Sequence, residues 1–230
     1  MRQVTDREYT HERLGDAFAA AISDYDTQRR VAVLVDEFLP PAMLAGKRVL
    51  DVGTGLGFFA ERLQSHGANV TAVDIGDGLL QQVRNRIGCA CLRVDALELS
   101  SYFGSTLFDV VLSSECIEHT PDPRQALREM CKVLRPGGYL AVSTPNLLWY
   151  PVVRMATVLR VRPFDGLENF STFRSIRSVL ESEQLLILKE KGLHIVPFQL
   201  PLKRISQWCD DHAQGLRHFM INLCVLAEKK

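Results

Sequence analysis

Val49-Leu-Asp-Val-Gly-Thr-Gly-Leu-Gly-Phe-Phe-Ala60 is the stretch on which the reading of the chain turns. Its apolar start predicts a buried strand, glycines follow at 53, 55 and 57, and a helical pattern begins at Phe58. Glycines leave room for a ligand to reach the main chain. A helix start behind them turns N–H groups and the positive end of its dipole toward that ligand. The stretch predicts a nucleotide-type cofactor site.

Strand and helix alternate downstream. Residues 58–66 predict a helix closed by Gly67, and Asn69–Asp74 a second strand that ends in an acid. Asp77 starts a helix closed by Gly88, and Ala90–Val94 is a third strand with Asp95 after it. Phe108–Ser113 is the fourth strand, and Asp122-Pro123 places an N-cap and a first-turn proline at the next helix. Arg135-Pro-Gly-Gly138 predicts a turn before the fifth strand, Tyr139–Thr144. Parallel strands need crossover segments that pack on the sheet, so this alternation implies an α/β fold with both faces covered.

Upstream, residues 10–40 predict two helices with a polar break at Asp24–Thr27, stopped by Pro40-Pro41. Beyond Pro145, residues 147–170 are rich in aromatic and aliphatic side chains, with Arg154, Arg160 and Arg162 among them, and are expected to cap the site. Ser171 or Thr172 caps a further helix running toward Gly192. Leu193–Leu200 is the expected sixth strand and Phe219–Ala227 the seventh. The 230 residues suit a single domain: N-terminal helices at 1–44, a cofactor-binding core at 45–146, the cap at 147–170 and the rest of the sheet at 171–230.

Twenty-seven basic and 27 acidic residues leave no net charge to draw the surface toward nucleic acid or anionic lipid. The six cysteines show no C-x-x-C spacing, and Cys89 and Cys91 would share one strand face. No apolar run approaches a membrane span, and the N-terminus lacks a signal-peptide core, so a soluble, cytoplasmic protein is expected.

The glycines run G-x-G-x-G after Asp51-Val52. Glu115-Cys-Ile-Glu-His119 follows the fourth strand, and L-R-P-G-G leads into the fifth. In these three features the chain resembles the class I S-adenosylmethionine-dependent methyltransferases, in particular the small-molecule branch with the ubiquinone-biosynthesis O-methyltransferases. The resemblance is close over residues 45–146 and looser beyond. It implies a Rossmann-like, seven-stranded, mostly parallel sheet with helices on both faces and an antiparallel last strand. It also implies S-adenosyl-L-methionine as cofactor and a small organic methyl acceptor, methylated on O, N or C.

The resemblance assigns roles residue by residue. Gly53, Thr54, Gly55 and Gly57 would pass under the methionine part of the cofactor, with Asp51 orienting the loop. Asp74 would accept from the ribose hydroxyls, Ile75 would lie on the adenine, and Asp95 with the Ala96 N–H would meet the adenine edge. Ser113 would offer its carbonyl to the ammonium, and Tyr25 could close over the cofactor or simply pack. His119 has two readings, a base that takes the acceptor's proton or a histidine that holds its loop. His66, His194, His212 and His218 are expected to be structural or exposed.

No metal is required, and no clustered spacing suggests one. A nicotinamide-dependent oxidoreductase shares the strand–loop–helix logic and is the enzymatic alternative. The non-enzymatic one is a cofactor-binding or membrane-surface protein, suggested by the mixed apolar and arginine run from Trp149 to Val161. Nucleic-acid methylation is disfavoured, since Ser114-Glu-Cys-Ile117 stands where an N/D-P-P-Y/F motif would be.

Overall fold

A computed structural model describes residues 24–159, 167–196 and 202–230. Seven strands form one sheet in the order β3-β2-β1-β4-β5-β7-β6: β1 Arg48–Val52, β2 Asn69–Asp74, β3 Ala90–Arg93, β4 Phe108–Ser114, β5 Leu134–Pro145, β6 Leu185–Leu193 and β7 Asn222–Lys229. Only β7 runs against the rest, antiparallel to β5 on one side and β6 on the other.

Alternate residues feed two cores, as the two-residue period of a strand requires. Leu50, Val52, Val111, Leu140, Val142 and Val225 point to one face. There α5 (Leu99–Phe103), α6 (Pro123–Lys132) and α8 (Phe173–Ser182) cover them. Val49, Val110, Leu112, Ala141 and Leu226 point to the other face. It is covered by α3 (Phe58–Ser65), by Leu44 of α2 (Pro41–Leu44) and by residues that follow α1 (Asp24–Val31), among them Leu34, Phe38 and Leu39. Each such side chain contributes roughly 1.5–3 kcal/mol by leaving water, so a two-sided sheet is strongly held in register.

Local signals act as expected at several ends. Asp122 accepts from the N–H groups of Arg124 and Gln125, both at 3.0 Å. Gly88 closes α4 (Asp77–Ile87) with φ +73°, and Thr172 caps α8 in a reciprocal box with Ser175. The Arg135–Gly138 turn survives as an excursion within β5, where pairing jumps from Phe108↔Leu134 to Val110↔Tyr139.

Three expectations are corrected. The polar break at Asp24–Thr27 is helical, because Asp26 is buried and paired: its carboxylate lies 3.0 Å from Arg30 one turn on and 3.0 Å from His194. The helix from Thr172 ends at Ser182, not toward Gly192, and the sixth strand is Leu185–Leu193, not Leu193–Leu200. Gln184 makes that reversal with φ +63°, a left-handed turn no glycine announces. Residues 10–23, 160–166 and 197–201, with Arg160, Arg162 and the end of the expected sixth strand, lie outside the described residues.

His194 is wholly buried, between Asp26 and the Asp210 carboxylate 3.7 Å away. This ties α1 to α9 (Lys203–His212), where Asp210 also faces Arg29 at 3.5 Å. His194→Leu leaves Asp26 with Arg30 and Asp210 with Arg29 but removes a buried polar partner of both, so it is expected to lower stability by about 1–3 kcal/mol. Urea unfolding followed by circular dichroism measures it, and a loss below about 1 kcal/mol would contradict the pairing.

Candidate active site

The cleft forms where β1, β2 and β4 end side by side, at the carboxyl edge where parallel α/β sheets place their ligands. About 550 Å³ of space lies within it, part of which is open to solvent. A larger groove along β6 is lined by Arg177, Leu186, Leu188 and Lys230 and lies away from every residue the motifs single out.

The loop after β1 is built for close approach. Gly53 has φ +72°, and a Cβ there would lie 2.6 Å from the Cys116 Cβ, closer than atoms tolerate. The expectation that loop N–H groups face the ligand is corrected, because the N–H groups of Gly53 and Thr54 donate to the Val73 carbonyl, that of Gly57 to Thr54, and that of Gly55 to Asp74. A pyrophosphate needs such donors free. Four of them are spent here.

Gly53→Ala places a Cβ in that contact on a left-handed backbone, so it is expected to destabilise the fold by about 1–3 kcal/mol. Calorimetry should also show loss of S-adenosylhomocysteine binding in this variant.

Asp51 lies beneath the loop, buried, accepting from Thr54 Oγ1 at 2.7 Å. Burial pushes its carboxyl up to about 7 against the Thr54 bond, with Asp74 adding repulsion. Asp74 uses both oxygens, accepting from Gly55 N–H at 3.0 Å and Gly76 N–H at 2.9 Å. It locks the loop to the end of β2 and still lines the cleft, with Ile75, Leu79, Val94 and Ala96 as an apolar wall. Each carboxylate oxygen keeps a further acceptor site.

Asp95 accepts from the Leu97 N–H at 3.0 Å and is not among the residues that line the cleft. Ser113 is fully buried, its hydroxyl donating to the Val52 carbonyl at 3.0 Å, which pins β4 to β1.

The segment after β4 supplies the polar end. Glu115, Cys116, His119 and Thr120 all line the cleft. Glu115 has φ +52°, rare outside glycine, and accepts from Ser143 Oγ at 3.1 Å. Burial pushes its carboxyl up to about 8, helped by Glu118 and opposed by Arg30. Glu118 is raised to about 7, again by burial, while accepting from Thr144 at 3.2 Å.

His119 Nδ1 lies 3.0 Å from the Leu167 carbonyl. A carbonyl only accepts, so Nδ1 carries the proton and Nε2 is the basic nitrogen, 3.9 Å from Glu118. Asn169 adds two bonds, its N–H to the Glu118 carbonyl and its amide to that of Thr120, both at 2.8 Å. Residues 167–169 are thereby stitched to the motif.

Of the expected residues, Gly53, Gly55, Asp74, Ile75, Ala96 and His119 meet in the cleft. Asp51, Thr54, Gly57 and Ser113 support it from behind, and Asp95 lies outside the lining with the Leu97 N–H on its carboxylate. Tyr25 lies outside the lining and packs on His194, with ring centres 5.6 Å apart. His66 is near Asp36, His212 stacks on Trp208, and His218 meets Phe173. Sequence reasoning left Glu115 without a role, although it opens the quoted motif.

Cys89 and Cys91 do share a side, their sulfurs 3.8 Å apart. Among the described residues no cluster of three His, Cys, Asp or Glu could hold a metal, and no helix is long and apolar enough to cross a membrane.

Three carboxyls at the cleft with raised values, and Asp210 beside His194, also raised by its burial, make stability depend on pH in one direction. Between the ordinary carboxylate range and 7–8 the unfolded chain has ionised Asp51, Glu115 and Glu118 while the folded chain has not, so stability falls as pH rises there. Asp26, held low by Arg30 and His194 against burial, works oppositely and loses its contribution only as pH falls below the ordinary carboxylate range. Melting temperature is therefore expected to drop from pH 5 to pH 8, and Glu118→Gln to flatten that slope in scanning fluorimetry. An unchanged slope would contradict the raised value.

A methyltransferase domain model matches residues 50–142. The ubiquinone biosynthesis O-methyltransferase of Coxiella burnetii (strain Dugway 5J108-111) is 31% identical over 170 residues, covering 68% of this chain and 70% of that protein. Its counterpart in Pseudomonas aeruginosa (strain UCBPP-PA14) is 32% identical over 163 residues, 67% of each. Among solved structures, the N-methyltransferase NodS from Bradyrhizobium japonicum, in complex with S-adenosyl-L-homocysteine, superposes with a TM-score of 0.67 at 17% identity. It covers 98% of this chain and 99% of that one, a likeness of fold. The resemblance carried by the glycine loop thus extends along two thirds of whole relatives, and the chain belongs to the S-adenosylmethionine-dependent methyltransferases, the family that includes the ubiquinone-biosynthesis O-methyltransferases.

Proposed function

We propose that this enzyme methylates a hydroxyl group on a small aromatic acceptor, with His119 taking the hydroxyl proton. The carrying observation is the His119–Leu167 bond, which fixes the tautomer that leaves Nε2 basic at the cleft. The O-methyltransferase names of the curated relatives support oxygen as the methylated atom.

The cleft residues fit the cofactor. Asp74 has acceptor capacity for two ribose hydroxyls, the wall of Ile75, Leu79, Val94 and Ala96 suits an adenine, and the loop has no side chain at Gly53 or Gly55 to obstruct the methionine end. Asp95 and the Ala96 N–H fall to the adenine edge, the Ser113 carbonyl to the ammonium, and Asp51, Thr54 and Gly57 to loop support. S-adenosylmethionine supplies a methyl group already activated on a sulfonium. What remains for the chain is orientation, worth several kcal/mol, exclusion of water, and a place for the proton.

Residues 147–159 and 167–170 form the acceptor side in this reading. Leu147, Leu148, Val152 and Met155 are exposed there, on and before α7 (Tyr150–Val158), and Tyr150 meets Phe170 edge-on at 5.5 Å. This apolar surface favours a hydrophobic acceptor. Six free cysteines suit a reducing, cytoplasmic setting, which recovery in the soluble fraction of lysed cells would test.

The experiment is labelled methyl transfer from S-adenosylmethionine to a panel of phenols, catechols, amines and carbon acids, with the methylated atom assigned by mass spectrometry. Turnover confined to amines or carbon acids would overturn the hydroxyl reading.

A further inference from the structure

Asn146, the residue after β5, is buried although Leu147 and Leu148 beside it are exposed. Its Nδ2 donates to the His218 and Met220 carbonyls, each at 2.8 Å, and its Oδ1 accepts from the Leu148 N–H at 3.2 Å. Carbonyls only accept, so the amide has one orientation and both of its N–H bonds are used. Its main chain is engaged as well. The N–H donates to the Ile221 carbonyl at 2.7 Å, and the carbonyl accepts from the Trp149 N–H at 2.9 Å.

These bonds join three separate parts of the chain. Oδ1 caps the 3₁₀ turn Leu147–Trp149 that leads into α7. Nδ2 holds the end of the 3₁₀ turn Gln214–Phe219 and Met220 after it, just before β7. The backbone bridges to Ser171, with the Leu147 N–H donating to the Ser171 carbonyl at 2.8 Å and the Ser171 N–H to the Pro145 carbonyl at 3.2 Å. Leu167 and Asn169, just before Ser171, are the residues that hold His119, Glu118 and Thr120.

Two further observations agree. Trp149 spans the same junction from outside, its Nε1 donating to the Phe219 carbonyl at 2.9 Å. Both turns carry exposed apolar side chains, Leu147 and Leu148 on one, Leu216 and Phe219 on the other. Capping a turn needs only an oxygen, which serine supplies as well. Two donations to a segment more than seventy residues away need an amide.

Resting on the reading of residues 147–159 and 167–170 as the acceptor side, we infer that Asn146 is a positioning residue that sets both turns as one acceptor-binding wall and holds that wall in register with His119. Asn146 is not in the cleft lining, so it acts through the turns it joins. A displacement of about 1 Å there is enough to cost about a hundredfold in rate.

The test compares Asn146→Ser and Trp149→Phe with wild type in methyl transfer from S-adenosylmethionine to the best acceptor of the panel. Serine keeps the cap oxygen and loses both donations; phenylalanine keeps the ring and loses the outer bond. The acceptor KM is expected to rise about tenfold in Asn146→Ser and about threefold in Trp149→Phe. The KM for S-adenosylmethionine and the affinity for S-adenosylhomocysteine are expected to stay within about twofold of wild type. A partly unfolded population lowers kcat and leaves both KM values alone, so this split separates positioning from stability. An unchanged acceptor KM in both variants would overturn the inference, as would an equal rise in the KM of donor and acceptor. Where Asn146→Ser fails to fold, Trp149→Phe decides by the same criterion. Absence of methyl transfer by wild type to every member of the panel would instead overturn the reading beneath it.

Discussion

His119→Ala is expected to lower kcat on the true acceptor by about 10²- to 10⁴-fold while leaving S-adenosylhomocysteine affinity within about twofold. The sequence left a base and a loop-holding histidine as equal alternatives, and the structure shows why a single variant does not separate them. His119 does hold the loop, through its Nδ1 bond to the Leu167 carbonyl. That same bond makes Nε2 the acceptor, so the two parts would fall to different nitrogens of one ring.

Asparagine separates them. Its amide can still donate to the Leu167 carbonyl but offers no basic nitrogen, so a base role leaves His119→Asn as slow as alanine, whereas a positioning role restores most of the rate. Single-turnover kinetics read the chemical step directly. Normal turnover in His119→Ala would remove the base and leave only the loop contact.

Asp74→Ala is expected to weaken S-adenosylhomocysteine binding by roughly 10²- to 10⁴-fold, since two hydrogen bonds to a charged acceptor are worth about 3–6 kcal/mol together. The carboxylate also does work before any ligand arrives. Its bonds to the Gly55 and Gly76 N–H groups, at 3.0 and 2.9 Å, make the glycine loop and the turn after β2 one piece. Alanine leaves both donors unsatisfied, so the variant should lose about 1–3 kcal/mol of stability as well. Asp74→Asn keeps one acceptor oxygen and should fall between. Undiminished binding by the alanine variant in calorimetry would contradict the ribose assignment.

The cleft was legible where its chemistry is backbone chemistry. Glycines at 53, 55 and 57 and an acid at the end of β2 are local facts about where a chain can bend and what a strand end presents, so they survive translation from pattern to structure. Three things were not legible, each because it depends on a partner far along the chain. Asp24–Thr27 looks like a break because Asp26 is acidic; it is helical because Asp26 turns inward to Arg30 and His194. Leu185–Ile187 looks helical because apolar residues run together, while on the sheet edge Leu185 is buried and Leu186 exposed. Glu115 looks like a spare member of E-C-I-E-H until Arg30, 85 positions earlier, is seen to reach it through two serines.

The place of β7 has a consequence for how the chain comes off the ribosome. It lies between β5 and β6, so β6 has no hydrogen-bonding neighbour until residues 222–229 have emerged. Strands β1 to β5, which carry the cleft, can pair before that, each with a strand already made or next in line. Synthesis at about 5–20 residues per second leaves β6, with Leu185 and Leu193 not yet buried, waiting roughly two to seven seconds for its partner. In that interval both edges of β6 are unpaired, where the finished sheet leaves one, and it is then that the nascent chain most needs a chaperone.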